Sequence, residues 1–222
     1  MLTRVLTALA GIPFLVGIVL LNSVWLFTSL IEVLALIALN EYFRMTFPHD
    51  GWVRLVGVVS GMLLSVTLVL PGFSLPLPVI IVGLCVVFIF VGGTVECRFR
   101  DLGLALTGAL YLGYLFPHFA VLYSSGYQWV LWVLIVVFTA DSAGYFVGMA
   151  WGRRKLYPSV SPGKTIEGSL GATVVGVATG CVSAWWLLAL SPGQTLWFSL
   201  VITLIAQLGD LFESLIKRGF AV

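Results

Sequence analysis

Five polar side chains crowd the end of an otherwise apolar stretch: Asp210, Glu213, Ser214, Lys217 and Arg218, in the run GDLFESLIKRGFAV. With Gln207, most of them are spaced by threes and fours, so on a helix they project from one face. Carboxylate, hydroxyl and ammonium on one stripe can form a ladder of ion pairs, with Glu213 four residues ahead of Lys217. Inside a membrane such a stripe needs a polar cavity to face. A second acid, Asp141, precedes Trp151 by ten residues, or ~15 Å along a helix. That depth is near mid-bilayer, where an ionised carboxylate costs on the order of 2.5–3.5 kcal/mol and usually marks a site. Asp210 precedes Lys217 by seven residues, ~10 Å along its helix, so the two acids reach similar depths. Two such carboxylates beneath basic loops suit Mg²⁺ with a polyphosphate, because magnesium takes one or two carboxylates and completes its shell with phosphate oxygens and water.

The richest basic segment is RRKLYPSVSPGKTIEG, residues 153–168. Read as a loop, it offers Ser161 as the cap of the following helix, with Pro162 at the first helical position. The helix's positive end and Lys164 would then face the cytoplasm, ready for a phosphate. Gly163-Lys164-Thr165 is not a P-loop: the earlier glycine that motif needs is replaced by Pro158, and no preceding strand is expected. A basic loop resting on anionic lipid is the alternative, although lipid attraction requires neither the Pro-Gly turn nor Glu167. Ala140, Gly144, Gly148 and Gly152 recur every four residues and form a small-residue face for close helix packing. Asp141 and Tyr145 form the polar edge beside it.

The elements that carry these residues are membrane spans. The chain is 60% hydrophobic and 9% charged over 222 residues, against about 25% charged in soluble domains. A span needs roughly 20 apolar residues. About eight segments qualify or nearly so: 5–21, 24–40, 53–70, 76–95, 102–123, 128–150, 168–190 and 195–216. The fold class is therefore an all-α polytopic helical bundle. All 11 basic residues fall on the side that holds both termini, which the positive-inside rule makes cytoplasmic. The eight tryptophans lie near span ends and read as an interfacial belt. Residues 1–100 read as a scaffold almost without polar atoms inside the spans, and 101–222 as the part carrying the chemistry. The N-terminal apolar run lacks a small-x-small cleavage site and reads as a retained span. No internal repeat supports a transporter of the inverted-repeat kind. The net charge of +2 gives no field for nucleic acid. His49 and His118 lack zinc-ligand spacing, and Cys85, Cys97 and Cys181 form no CxxC pair, so no disulfide is expected.

DSAGYFVGMAWG (141–152), SPGKTIEG (161–168) and GDLFESLIKR (209–218) resemble, in order and spacing, the motifs of phosphatidate cytidylyltransferases, also called CDP-diacylglycerol synthases. Glu41 is a looser match. The motifs cover about the C-terminal third of the chain. The resemblance implies a membrane enzyme that joins CTP to phosphatidic acid, giving CDP-diacylglycerol and pyrophosphate with Mg²⁺. It implies catalytic roles for Asp210 and Lys217, with Asp210 also holding the metal. It implies substrate-binding roles for Asp141, Ser161, Lys164, Thr165, Glu167, Ser214 and Arg218. Its implied setting is the bacterial cytoplasmic membrane with the site facing the cytoplasm. The family pattern continues with a Lys-Asp, a Pro-Gly-His-Gly-Gly turn, a second metal-binding carboxylate and a last span. Here Gly219 to Val222 follow Arg218, so the expectation is a C-terminally incomplete site, impaired alone unless a partner protomer in a homodimer or a separate polypeptide completes it. Two other functions remain open: another CTP-dependent membrane lipid phosphotransferase, and a proton-coupled transporter using Asp141 and Asp210. The uncharged outer loops speak against the transporter, and the Asp-Gly-x-x-Ala-Arg pattern of CDP-alcohol phosphotransferases is absent.

Overall fold

A computed structural model describes residues 11, 13–70, 72, 73, 75–90 and 95–220. Among them, six helices are long and apolar enough to cross a membrane, which makes the chain an all-α polytopic integral membrane protein. Of the expected first span, 5–21, residues 5–10 and 12 lie outside the described residues, and 13–20 are helical. The expected fourth appears as a shorter apolar helix, Leu77–Phe90. By backbone contacts the chain divides into two compact units, with the boundary between Ser125 and Gly126.

The first unit contains α1 (Val24–Thr46), α2 (Gly51–Val69), α3 (Leu77–Phe90), α4 (Val95–Gly108), a π-helical segment (Ala109–Leu115) and α5 (His118–Ser124). Side-chain caps start the first two: the Ser23 hydroxyl accepts from the Leu26 N–H, and Asp50 accepts from Trp52 and Val53. Its core stacks Phe27 on Tyr123 with ring centroids 4.2 Å apart. The Tyr42 hydroxyl donates to the Leu104 carbonyl at 2.9 Å. The sequence reading passed over one acid here. Glu32, in the middle of α1, accepts a 2.6 Å hydrogen bond from the buried Ser65 hydroxyl. Glu32 and Ser65 are thus among the few polar groups expected inside the spans of residues 1–100.

The second unit contains α6 (Tyr127–Trp151), a two-stranded antiparallel hairpin of β1 (Lys155–Tyr157) and β2 (Ser161–Thr165), α7 (Ile166–Leu187) and α8 (Pro192–Gly219). Its main contact joins α6 to α7 along small residues, as the four-residue spacing predicts. Gly144 and Gly148 face Gly168 and Ala172: a methyl added at Gly168 would lie 2.7 Å from the Gly144 carbonyl oxygen. Polar side chains tie the same seam further along. Thr139 and Thr179 hydroxyls meet at 2.8 Å, and the Trp132 indole donates to the Gly180 carbonyl at 2.9 Å. Trp132 is 1% exposed, so it is an interhelical anchor, not the belt residue expected of it. Trp185 and Trp186, 84% and 83% exposed, fit the belt. The helix α8 starts on a Ser191–Gln194 capping box with Pro192 behind it.

Residues 153–168 depart from the expected loop. Tyr157 pairs with Ser161 and Lys155 with Thr165. Pro158 starts the turn, closed by Val160 N–H donating to the Tyr157 carbonyl at 3.2 Å. Ser161 therefore sits in a strand and does not cap α7. The cap is Thr165, whose hydroxyl accepts from Gly168 N–H at 3.1 Å. The cause is ladder continuity: Ile166 N–H donates to the Arg154 carbonyl at 2.9 Å, which keeps the backbone extended up to the first residue of the helix. Gly163-Lys164-Thr165 is thus strand and not loop, and β1 precedes it, where no preceding strand is expected from the sequence.

The seam can be tested at Gly168. Gly168→Ala should destabilise the protein by about 1–3 kcal/mol through overpacking. Gly163→Ala, with open space around it, should leave the melting temperature in detergent nearly unchanged.

Candidate active site

Both strands of the hairpin and the helices α6, α7 and α8 converge on one cavity of about 520 Å³. Asp141 and Tyr145 line it from α6, Lys164 from β2, Ser169 from α7, and Gln207 and Asp210 from α8. Met149 and Leu156 add an apolar part to the wall. Of the residues singled out in the sequence, the structure therefore brings Asp141, Lys164, Thr165 and Asp210 to one place.

Their positions follow from local structure. Asp141 is on the edge of the α6 face whose small residues pack on α7, so close packing leaves its carboxylate at the rim of the seam. Lys164 is at the end of β2, one residue before the Thr165 cap. Its ammonium lies 2.5 Å from Asp210 Oδ2 and 3.4 Å from the Gln207 carbonyl. Asp210 is thus not a rung of the ladder along its own helix; it reaches across to the hairpin. The ladder exists one turn on, where Lys217 pairs with Glu213.

Gln207 was visible as a member of the polar stripe, but its role was not. Its Oε1 accepts from the Ser169 hydroxyl, and its Nε2 donates to Thr173 Oγ1 at 3.0 Å. An amide in an apolar medium must find both kinds of partner in the protein, and here both are hydroxyls of α7. The side chain therefore fixes the rotation of α8 at the level where Asp210, three residues later, enters the cavity. The signal available in sequence was that three-residue spacing.

Other expected site residues lie elsewhere. Glu167 does not line the cavity. Its carboxylate accepts from the Arg153 and Arg154 backbone N–H groups at 3.1–3.3 Å, tying the chain that enters the hairpin to the first turn of α7. Ser161 lies on the hairpin, and Ser214, Lys217 and Arg218 are on the final turns of α8, outside the cavity lining. Glu41 belongs to the other unit.

A family model described as "Cytidylyltransferase family" matches residues 2–222. The chain is similar to the phosphatidate cytidylyltransferase of Bacillus subtilis (strain 168), at 30% identity over 234 residues, covering 99% of this chain and 85% of that protein. It is similar also to the phosphatidate cytidylyltransferase of Staphylococcus haemolyticus (strain JCSC1435), at 30% identity over 238 residues, covering 100% of this chain and 87% of that protein.

Glu167→Ala removes the acceptor at the hairpin base. Hydrogen exchange followed by mass spectrometry should show faster exchange at the Arg153 and Arg154 amides, with helical peptides of α8 unaffected.

Proposed function

The chain belongs to the cytidylyltransferase family, and we propose that it transfers the cytidylyl group of CTP to phosphatidic acid, giving CDP-diacylglycerol and pyrophosphate. The observation that carries this reading is the convergence of Asp141, Lys164 and Asp210 on one cavity in a membrane-spanning unit. A phosphate oxygen of the lipid attacks the α-phosphorus of CTP. The bond from that phosphorus to the bridging oxygen breaks, and pyrophosphate leaves with the bonding electrons. Such a transfer needs charge neutralisation and alignment more than a strong base.

The chain's residues divide this work. Lys164 donates to phosphate oxygens, and its strand position sets the height at which they bind. Asp141 and Asp210 fit a divalent ion, since Mg²⁺ takes one or two carboxylates and leaves the rest of its shell to phosphate and water. Bound there, Mg²⁺ would neutralise the charge that builds on the phosphates. Lys217 and Arg218, about 10 Å further along α8, meet phosphate from the aqueous side, with Ser214 between. Thr165 and Glu167 hold the hairpin that carries Lys164, and Ser161 begins its second strand. The Met149 and Leu156 side of the cavity suits the glycerol end of the lipid, whose tails stay in the bilayer.

The proposed setting is the bacterial cytoplasmic membrane, with eight spans, both termini inside and the hairpin in the cytoplasm. Residues 1–100 act as scaffold and 101–222 carry the chemistry. In a background lacking Cys85, Cys97 and Cys181, Ser159→Cys at the hairpin tip should react with a membrane-impermeant maleimide in inverted vesicles only. Labelling in right-side-out vesicles would reverse the orientation.

The activity itself is tested with protein purified in detergent and supplied with phosphatidic acid, CTP and Mg²⁺. A cytidine-containing lipid should form. Asp210→Asn should slow turnover by about 10²–10³, the range seen when one electrostatic stabiliser is removed. Full activity in that variant would sink the assignment of the site.

A further inference from the structure

Resting on that reading, we infer that Lys164 is the resting-state cation of the site. Its ammonium holds the Asp210 carboxylate until a divalent ion and nucleotide arrive together, and it then passes to the nucleotide's phosphates.

The charged side chains lining the cavity are Asp141, Asp210 and Lys164. The ammonium therefore offsets one of the two carboxylates that line the same cavity. It is held at Asp210 by a 2.5 Å ion pair and by the Gln207 carbonyl at 3.4 Å. The lysine side chain is 24% exposed, whereas Asp210 is 52% exposed. The acid thus remains open to an incoming ligand while the lysine side chain is largely covered. A bare dication entering this cavity must displace a covalently tethered competitor that has nowhere better to go. A dication arriving on a triphosphate brings oxygens that accept the released ammonium. The exchange then costs little: Asp210 trades one cation for another, and Lys164 trades one oxyanion for another.

Lysine suits this part. Its point charge sits on a flexible four-carbon stem with three rotatable donors, so it changes partners without the fixed fork that an arginine presents. The backbone that follows it is held in place. Thr165 caps α7, and the next N–H, that of Ile166, is bonded to Arg154. Ordered entry follows from this arrangement: the metal does not wait in the site ahead of the nucleotide.

The test reads metal binding without nucleotide and without turnover. Mn²⁺ binding to the detergent-purified full chain is followed by electron paramagnetic resonance. The wild type should bind Mn²⁺ weakly. Lys164→Met should bind it at least about tenfold tighter, because one unit charge beside the ion is worth more than the 1.4 kcal/mol that a factor of ten represents. Lys164→Arg should stay close to wild type, and Lys164→Gln serves if the methionine variant does not fold. Lys155→Met removes an equal charge from the exposed hairpin strand and should change little. The same Lys164→Met protein should make cytidine lipid more slowly, and a lysine with a purely structural part would not combine tighter metal with slower turnover. Unchanged or weaker Mn²⁺ binding in Lys164→Met overturns the inference, even if the wild type makes cytidine lipid. Absence of both Mn²⁺ binding in every variant and lipid product in the wild type overturns the functional reading as well.

Discussion

Between α6 and α7 the backbones approach so closely that there is no room for one methyl group at Gly168 beside the Gly144 carbonyl. Most of the second unit's geometry depends on this approach. In a bilayer, helices gain nothing from hiding apolar surface from water, so contact is driven by close packing and by hydrogen bonds between helices. The small-residue faces of α6 and α7 supply the packing. They also decide where the residues flanking them must go. Asp141 emerges at the edge of one face, and the Thr165 cap begins the other. The hairpin that joins the two helices is left only a short distance to span, which brings Lys164 alongside the acid.

Around that seam, polar groups are matched across helices because no water competes for them. Thr139 meets Thr179, the Trp132 indole meets the Gly180 carbonyl, and Gln207 is divided between Ser169 and Thr173. Each pair fixes rotation or register where a purely apolar contact would allow sliding. The gradient along α8 is informative. Toward its N-terminal part, Ser199 and Thr203 lie against Gly180 and Gly176. Further on, Gln207 makes the bridge, and beyond it Asp210 faces a cavity. The helix passes from tight packing to chemistry within about three turns. The first unit uses the same device at Glu32 and Ser65.

The sequence showed the parts of this arrangement that depend on periodicity. Spacing by four exposed the α6 seam, and spacing by threes and fours exposed the α8 stripe. The similar depths of Asp141 and Asp210 along their helices place them at one level from spacing alone. What stayed hidden depended on pairing between distant segments. Nothing local in SPGKT marks it as a strand; Pro and Gly argue against one, and only the partner strand and the Arg154 carbonyl make it so. Thr165 and Ser161 are both acceptable caps, and the ladder decides between them. Trp132 lies near a span end in sequence, yet a glycine carbonyl on the next helix draws it inward. Glu32 was overlooked because a single acid within a long apolar run leaves hydropathy high, although its serine partner stands 33 residues away.

The anchoring of the hairpin has a mechanical consequence. Its base is held to the first turn of α7 twice, through the Glu167 carboxylate, which accepts from Arg153 and Arg154, and through the Thr165 cap. Lys164 is therefore a mobile charge on an immobile mount. The travel proposed for the site occurs in the dihedral angles of one side chain, as a change of rotamer and of ion-pair partner. Rearrangement of this kind leaves the surrounding bilayer undisturbed, since no helix has to shift against lipid for the charge to change hands.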